Sequence, residues 1–119
     1  MPSCSSIGIW IYTKSGSLKI CDATKKVILE TRACAGKSST PTFPWVFKPQ
    51  RFKAGYSGTS NGSKIYFAVF FYKGLSIAGV EKVATTPCSK GSVFIEKKYA
   101  KQVYEFARNY KPLIRVVNK

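Results

Sequence analysis

Apolar and β-branched residues fall in short runs along this chain, each closed by a turn signal. Ile7 to Tyr12 ends at Lys14-Ser15-Gly16, Leu18 to Cys21 ends at Asp22-Ala23-Thr24, and Val27 to Thr31 follows. Runs of this length parted by Gly, Ser and Asp predict three strands joined by tight turns, an antiparallel meander. From Lys64 to Tyr72 the pattern is apolar on both faces, with Ile65, Phe67, Val69 and Phe71 on one and Tyr66, Ala68, Phe70 and Tyr72 on the other. A strand greasy on both sides belongs at the centre of a sheet or in an interface. Lys73-Gly74 predicts a turn, Leu75 to Val83 a returning strand with Gly79 as a bulge or close-approach point, and Val93 to Ile95 a further short strand.

The period changes after Ile95. Tyr99, Val103, Phe106, Ala107 and Tyr110 form one apolar stripe at helical spacing, which predicts an amphipathic helix over Glu96 to Tyr110, stopped by Pro112. Leu113 to Val117 reads as a closing strand or an arm. Between Cys34 and Ser63 no period holds: Gly, Ser, Thr and Pro dominate, with aromatic islands and at most one short strand near Trp45 to Phe47. The expected fold is α+β, an antiparallel sheet of about five to seven strands with one helix packed on it near the C-terminus. It is expected as a single domain over residues 1–119, with a long connection at 35–63 of the kind that is often functional.

Composition narrows the picture. The 119 residues are 45% apolar, enough for one core and too rich in Ile, Val, Phe and Tyr for extended disorder. Twenty Lys and Arg against five Asp and Glu give a formal charge of +15, divided between both halves of the chain, so the positive field belongs to the folded body. No run approaches the length of a spanning helix. Met1-Pro2-Ser3-Cys4 lacks a basic patch followed by an apolar run, which points to a protein kept inside a cell, in nucleus or cytoplasm, or to a mature form bearing a start Met.

Catalytic chemistry is thinly supplied. The chain has no His, no phosphate-cradling glycine loop, and only Asp22, Glu30, Glu81, Glu96 and Glu105 as acids, with no motif to gather them around a metal. Cys4, Cys21, Cys34 and Cys88 form no CxxC pair, so neither a metal nor another cofactor is expected. Two disulfides in three pairings are open, but reduced, buried cysteines suit an intracellular protein better. Cys34 or Cys88 as nucleophile needs a base from Lys or Tyr. The expectation is a protein that is not an enzyme.

Residues 31–80 contain no acid, and their cations are interleaved with aromatics. Lys48, Arg51 and Lys53 supply charge for phosphates and Phe52 and Tyr56 flat side chains for bases; the alternative is that the aromatics of this stretch seal the core under the loop, and both hold together with Trp45 and Phe47 inward and Phe52 or Tyr56 outward. A second platform combines Lys64, Tyr66, Tyr72 and Lys73 with Trp10, Tyr12 and Lys14 on one sheet face. The order of elements from Lys64, through Lys90-Gly91-Ser92-Val93-Phe94-Ile95 and into the helix, resembles the single-strand-binding module of the PC4 family of transcriptional coactivators. That resemblance implies a homodimer binding single strands along basic, aromatic sheet faces. The expected function is non-catalytic binding of single-stranded DNA or RNA with low sequence specificity. The alternative is a structural or interaction protein docking by its basic face on an acidic partner or on its own copies. Size and composition also suit a small viral accessory protein.

Overall fold

The computed structural model describes residues 6–34, 46–60, 63–72, 75–81, 83 and 93–117, and within residues 55–60, 63 and 64 the backbone alone. Among them lie β1 (Gly8–Tyr12), β2 (Ser17–Cys21), β3 (Val27–Arg32), β4 (Val46–Phe47), β5 (Arg51–Ser60), β6 (Ser63–Tyr72), β7 (Leu75–Val80), β8 (Val93–Glu96), α1 (Lys97–Tyr110) and β9 (Ile114–Val117). The protein is α+β, with its helix near the C-terminal end. The strands divide between two sheets, ordered β3-β2-β1-β9-β4 and β5-β6-β7-β8. Most neighbours are antiparallel, whereas β1 with β9 and β7 with β8 run parallel. The chain therefore passes from the four-stranded sheet to the five-stranded one through α1.

The meander forms as the turn residues dictate. Gly16 takes φ of 71°, where a side chain is strained, and its N–H donates to the Tyr12 carbonyl at 2.9 Å to close the β1–β2 turn. In the β2–β3 turn Asp22 Oδ1 accepts from the Thr24 N–H at 2.9 Å, the Thr24 hydroxyl at 2.6 Å and the Lys26 N–H at 3.0 Å. These bonds hold the Asp22 carboxyl below its ordinary range, the Thr24 hydroxyl contributing most and the Lys26 N–H next. Period-2 alternation on β1, β2 and β9 then turns Ile9, Ile11, Leu18, Ile20, Ile114 and Val116 to one side. They meet Val69, Phe71, Ile77, Val93 and Ile95 of the other sheet and Ala100, Val103, Phe106 and Ala107 of α1 in a common core. Burying each large side chain in it contributes roughly 1.5–3 kcal/mol.

The four-stranded sheet is buried on its other face too, by a cluster of Cys34, Ile65, Ala68, Ala78, Val80, Val83 and Phe94. Backbone hydrogen bonds between Cys34 and Phe94, at 2.7 and 2.8 Å, tie the end of the meander to β8. Strict alternation does not survive along β6. Phe67 has φ of 51°, and the register against β7 shifts between Tyr66 and Val69. The irregularity sends Ile65 and Ala68, three apart in sequence, to the same cluster, while Val69 and Phe71 enter the common core.

Residues 51–60, which composition assigns to a connection, form β5. Its Gly and Ser content gives little strand propensity, and its register against β6 shifts on either side of Tyr56. The ladder to an apolar β6 supplies what local preference lacks.

The helix buries Ala100, Val103, Tyr104, Phe106 and Ala107, a stripe rotated from the expected one, and Tyr110 is 61% exposed. Its end is an αL cap at Lys111, whose N–H donates to the Ala107 carbonyl at 2.8 Å, followed by Pro112. Gly79 is the close-approach point: a Cβ there would lie 2.5 Å from Ala100 Cβ and 2.9 Å from Lys97 Cα. Among the described residues no helix is long and apolar enough to cross a membrane.

Candidate functional site

The parallel strands β7 and β8 pair Val80 with Glu96, so Glu81, one residue past β7, stands beside the end of β8. The helix begins at the next residue and carries Lys97, Lys98 and Lys101 on its first turns. Together with Phe67 from the irregular stretch of β6, these side chains line a cleft of about 490 Å³. An aromatic residue in left-handed backbone at the edge of a cleft is a strained arrangement of the kind that gathers at functional positions.

The charges in the cleft are partly matched. Lys97 Nζ lies 3.5 Å from Glu81 Oε1 and Lys98 Nζ 3.6 Å from Glu96 Oε2, all four side chains well exposed. Pairs so solvated contribute little to stability. Lys97 also sits over the Tyr66 ring at 4.1 Å, and Lys98 over Tyr99 at 5.0 Å. The Glu96 carboxylate, and after it Tyr99, holds the Lys98 ammonium above the ordinary lysine range. Lys101 has no ion pair among the described residues.

No acid stands in the first turn of α1, and the Glu96 N-cap makes no side-chain hydrogen bond. Lysines at the positive end of a helix dipole run against helix stability and leave the cleft attractive to carboxylates. Glu81 and Glu96 beside them suit an amine, so the cleft can hold a zwitterionic peptide group. None of its residues stands out in the hydropathy pattern. The one signal in the sequence is a helix start written with Lys-Lys where acids are usual.

The residues expected to bind nucleic acid are not assembled into one surface. Lys48, Arg51 and Lys53 are exposed, with the Arg51 guanidinium 4.6 Å over the Phe70 ring. Phe52, expected outward, packs inward with its ring edge-on to Tyr104 at 5.8 Å. Tyr56 and Lys64 lie on the paired backbones of β5 and β6, their side chains beyond the description, and Lys73 lies outside the described residues. Tyr66 is covered by Lys97, and Tyr72 packs on Phe47 at 5.3 Å. Trp10 and Tyr12 belong to the other sheet, so the second platform is two separate places. The aromatics between the cations are largely packing and cation–π partners rather than a stacking surface.

Cys21 and Cys34 are both disulfide-bonded, which corrects the expectation of reduced thiols and removes Cys34 as a nucleophile. Cys88 lies outside the described residues. No group of three or more His, Cys, Asp or Glu that could hold a metal is present among the described residues.

No family model matches the sequence, and no curated protein matches it. Solved structures do match. An L,D-transpeptidase from Xylanimonas cellulosilytica is similar over 98% of this chain and 62% of its own, with a TM-score of 0.82 and 15% identity. An L,D-transpeptidase from Stackebrandtia nassauensis is similar over 98% and 59%, with a TM-score of 0.81 and 16% identity. The LD transpeptidase LdtMt1, solved in complex with imipenem, is similar over 94% and 59%, with a TM-score of 0.78 and 14% identity. The chain thus spans about three fifths of the length of the proteins it matches.

The shared property is the fold, and it overturns the resemblance to the PC4 family. That likeness rested on a sheet-then-helix order that this different architecture also contains. The homodimer that this likeness implied falls with it, and the same matches correct the expectations drawn from charge, composition and the N-terminus: non-catalytic nucleic-acid binding, single-stranded DNA or RNA as partner, the viral accessory role and the intracellular site. The proteins that carry this fold are named as transpeptidases, which are enzymes.

Proposed function

We propose that the protein is a transpeptidase-type enzyme acting on peptidoglycan peptides outside the cytoplasm. The observation that carries the proposal is a structural match to an L,D-transpeptidase over 98% of the chain, both sheets and the helix included. Disulfide-bonded Cys21 and Cys34 agree with an oxidising compartment. In such a transfer a nucleophile attacks a peptide carbonyl, the first amine leaves with a proton, and a second amine takes up the acyl group.

The chain has no His, so the proton from the nucleophile passes to a Lys or Tyr, as in acyl-transfer sites built on Ser and Lys. The sequence between β7 and β8 includes Ser89, Lys90 and Ser92, hydroxyls and an amine close together along the chain in a connection of the kind that often carries function. We assign nucleophile and base to that stretch on its chemistry. The cleft of Glu81, Glu96, Lys98 and Lys101 takes the charged groups of the peptide.

Imipenem, the ligand in one of the similar structures, is the probe. The intact protein is expected to gain the mass of one imipenem, with the adduct on a tryptic peptide between Val83 and Lys97. It is also expected to exchange a D-amino acid into a stem peptide. Neither adduct nor exchange overturns the proposal, and an adduct elsewhere overturns the assignment to this stretch.

A further inference from the structure

Cys21 and Cys34 each take part in a disulfide, and no cysteine among the described residues is free. The sheet register keeps them from bonding to each other. β2 and β3 pair antiparallel, with Cys21 opposite Val27 at one end of the ladder and Ser17 opposite Arg32 at the other. The Ala33 N–H donates to the Gly16 carbonyl at 2.8 Å, so Cys34 lies past the Ser17 end. The length of β2, at about 3.3 Å per residue, already parts the two by roughly 13 Å. Disulfides hold their Cα atoms about 4.4–6.8 Å apart. The partners of Cys21 and Cys34 are therefore the two other cysteines of the chain, Cys4 and Cys88.

Two pairings remain, and the neighbours of Cys21 and Cys34 separate them. Cys21 faces Gly8 across the β1–β2 ladder, and Cys4 shortly precedes Gly8 in the sequence. Cys34 exchanges backbone hydrogen bonds with Phe94 at 2.7 and 2.8 Å and shares a buried cluster with Phe94 and Val83. Val83 is held to the end of the meander as well, since its carbonyl accepts from Arg32 Nη2 at 2.9 Å. Cys88 falls midway between Val83 and Phe94 in the sequence, so both ends of the connection that carries it converge on Cys34. The crossed pairing, Cys4 with Cys34 and Cys21 with Cys88, would draw both segments out along the length of the sheet, each past a cysteine already beside its anchor. Closing a short loop costs less chain entropy than closing a long one.

We propose that the disulfides are Cys4–Cys21 and Cys34–Cys88, and that the second positions the reacting groups for transfer. Cys88 immediately precedes Ser89, Lys90 and Ser92, the stretch assigned nucleophile and base, and the catalytic consequence rests on that assignment. A bond from Cys34, which the Phe94 backbone fixes in place, divides the β7–β8 connection into two shorter loops. It thereby removes conformational freedom from the reacting groups before substrate arrives. Cys4–Cys21 ties the start of the chain to β2 and serves stability alone.

A tryptic map without reductant, with N-ethylmaleimide present to stop thiol exchange, tests the pairing. Each cysteine falls on its own peptide, 1–14, 20–25, 33–37 or 83–90. Peptides 1–14 and 20–25 are expected to be linked, and so are 33–37 and 83–90. Any other linkage, or a maleimide-labelled thiol, overturns the proposal. Two double variants test the positioning role: Cys34→Ala with Cys88→Ala, and Cys4→Ala with Cys21→Ala. Each removes one bond and leaves no unpaired thiol, and both are expected to lower Tm. Circular dichroism confirms folding at an assay temperature below both transitions, and Cys88→Ala alone serves if the first pair does not fold. Acylation by imipenem is expected to slow about tenfold in the first variant and less than about twofold in the second. Amide hydrogen exchange over residues 83–97 is expected to quicken in the first variant only, a readout that needs no activity. Equal changes in the two variants overturn the positioning role, because loss of stability would then explain both. No acylation of the wild type overturns the transferase reading and the catalytic role of the bond with it, while the map still decides the pairing.

Discussion

The four-stranded sheet is buried on both faces, by the common core on one and by the cluster around Ala68, Ala78 and Phe94 on the other. The five-stranded sheet buries Ile9, Ile11, Leu18 and Ile20 on one face and carries Trp10, Tyr12 and Arg115, all half-buried, on the other, with Lys19 buried among them. Regular alternation is retained along β1, while β6, apolar on both sides, is interrupted at Phe67 and shifts register against both neighbours. A half-buried strand has one allowed register because a slip would invert its faces. A strand apolar on both sides lacks that constraint and yields to the helix and sheet that pack on it. The irregular sheet is also the one that borders the cleft at the start of α1.

Substitutions can break this contrast. Phe71 is fully buried between the sheets and packs edge-on to Phe47 at 5.1 Å. Phe71→Ala is expected to cost about 3–5 kcal/mol by urea denaturation, the largest effect of those considered. A loss under about 1 kcal/mol would mean that the sheets do not share one core.

Reduction of the disulfides that engage Cys21 and Cys34 acts through the unfolded chain. Each is expected to contribute about 2–4 kcal/mol, read as a fall in Tm on adding reductant. An unchanged Tm counts against both the bonds and the oxidising compartment.

Gly79→Ala places a methyl against Ala100 and the helix backbone. It is expected to cost about 1–3 kcal/mol by overpacking, with the cleft beside Lys97 distorted. A neutral result would show that α1 can move off β7 freely.

The smallest effect is expected in the five-stranded sheet, at Asp22→Asn in the β2–β3 turn. The folded-state pKa of Asp22 is depressed, so its stabilisation is present above the unfolded value of 3.8 and is lost as pH falls through the folded value. Wild type is thus expected to melt above Asp22→Asn at pH 7, with the gap closing below about pH 4. A gap that persists in acid assigns the effect to side-chain shape rather than charge.

Much of the secondary structure was legible in the sequence, since period-2 runs, turn residues and one helical stripe are local. β5 was not, because its Gly and Ser residues carry no strand preference of their own and are held by pairing to β6. The cleft was not legible either. Phe67 comes from β6, Glu81 from the end of β7, and Glu96 and the lysines from the β8–α1 junction, and only the parallel pairing of β7 with β8 brings them together. The cations and aromatics of residues 43–56 suggested a nucleic-acid surface because composition does not distinguish a ring that packs from one that stacks on a base. Phe52 is of the first kind, facing Tyr104.

By itself, then, the sequence determined the α+β class, the β1–β2–β3 meander, the helix and its stop at Pro112, and a strongly positive charge. Each follows from residues adjacent in the chain or from simple summation. Only the tertiary structure decided the division into two sheets, the passage between them through α1, the oxidised state of Cys21 and Cys34, and the likeness to transpeptidase folds. It also decided the burial of Arg115 Nη1 without a hydrogen-bond partner, with the guanidinium over the Trp10 ring. These depend on which strand lies beside which, and strand order is set by long-range packing that no local period encodes.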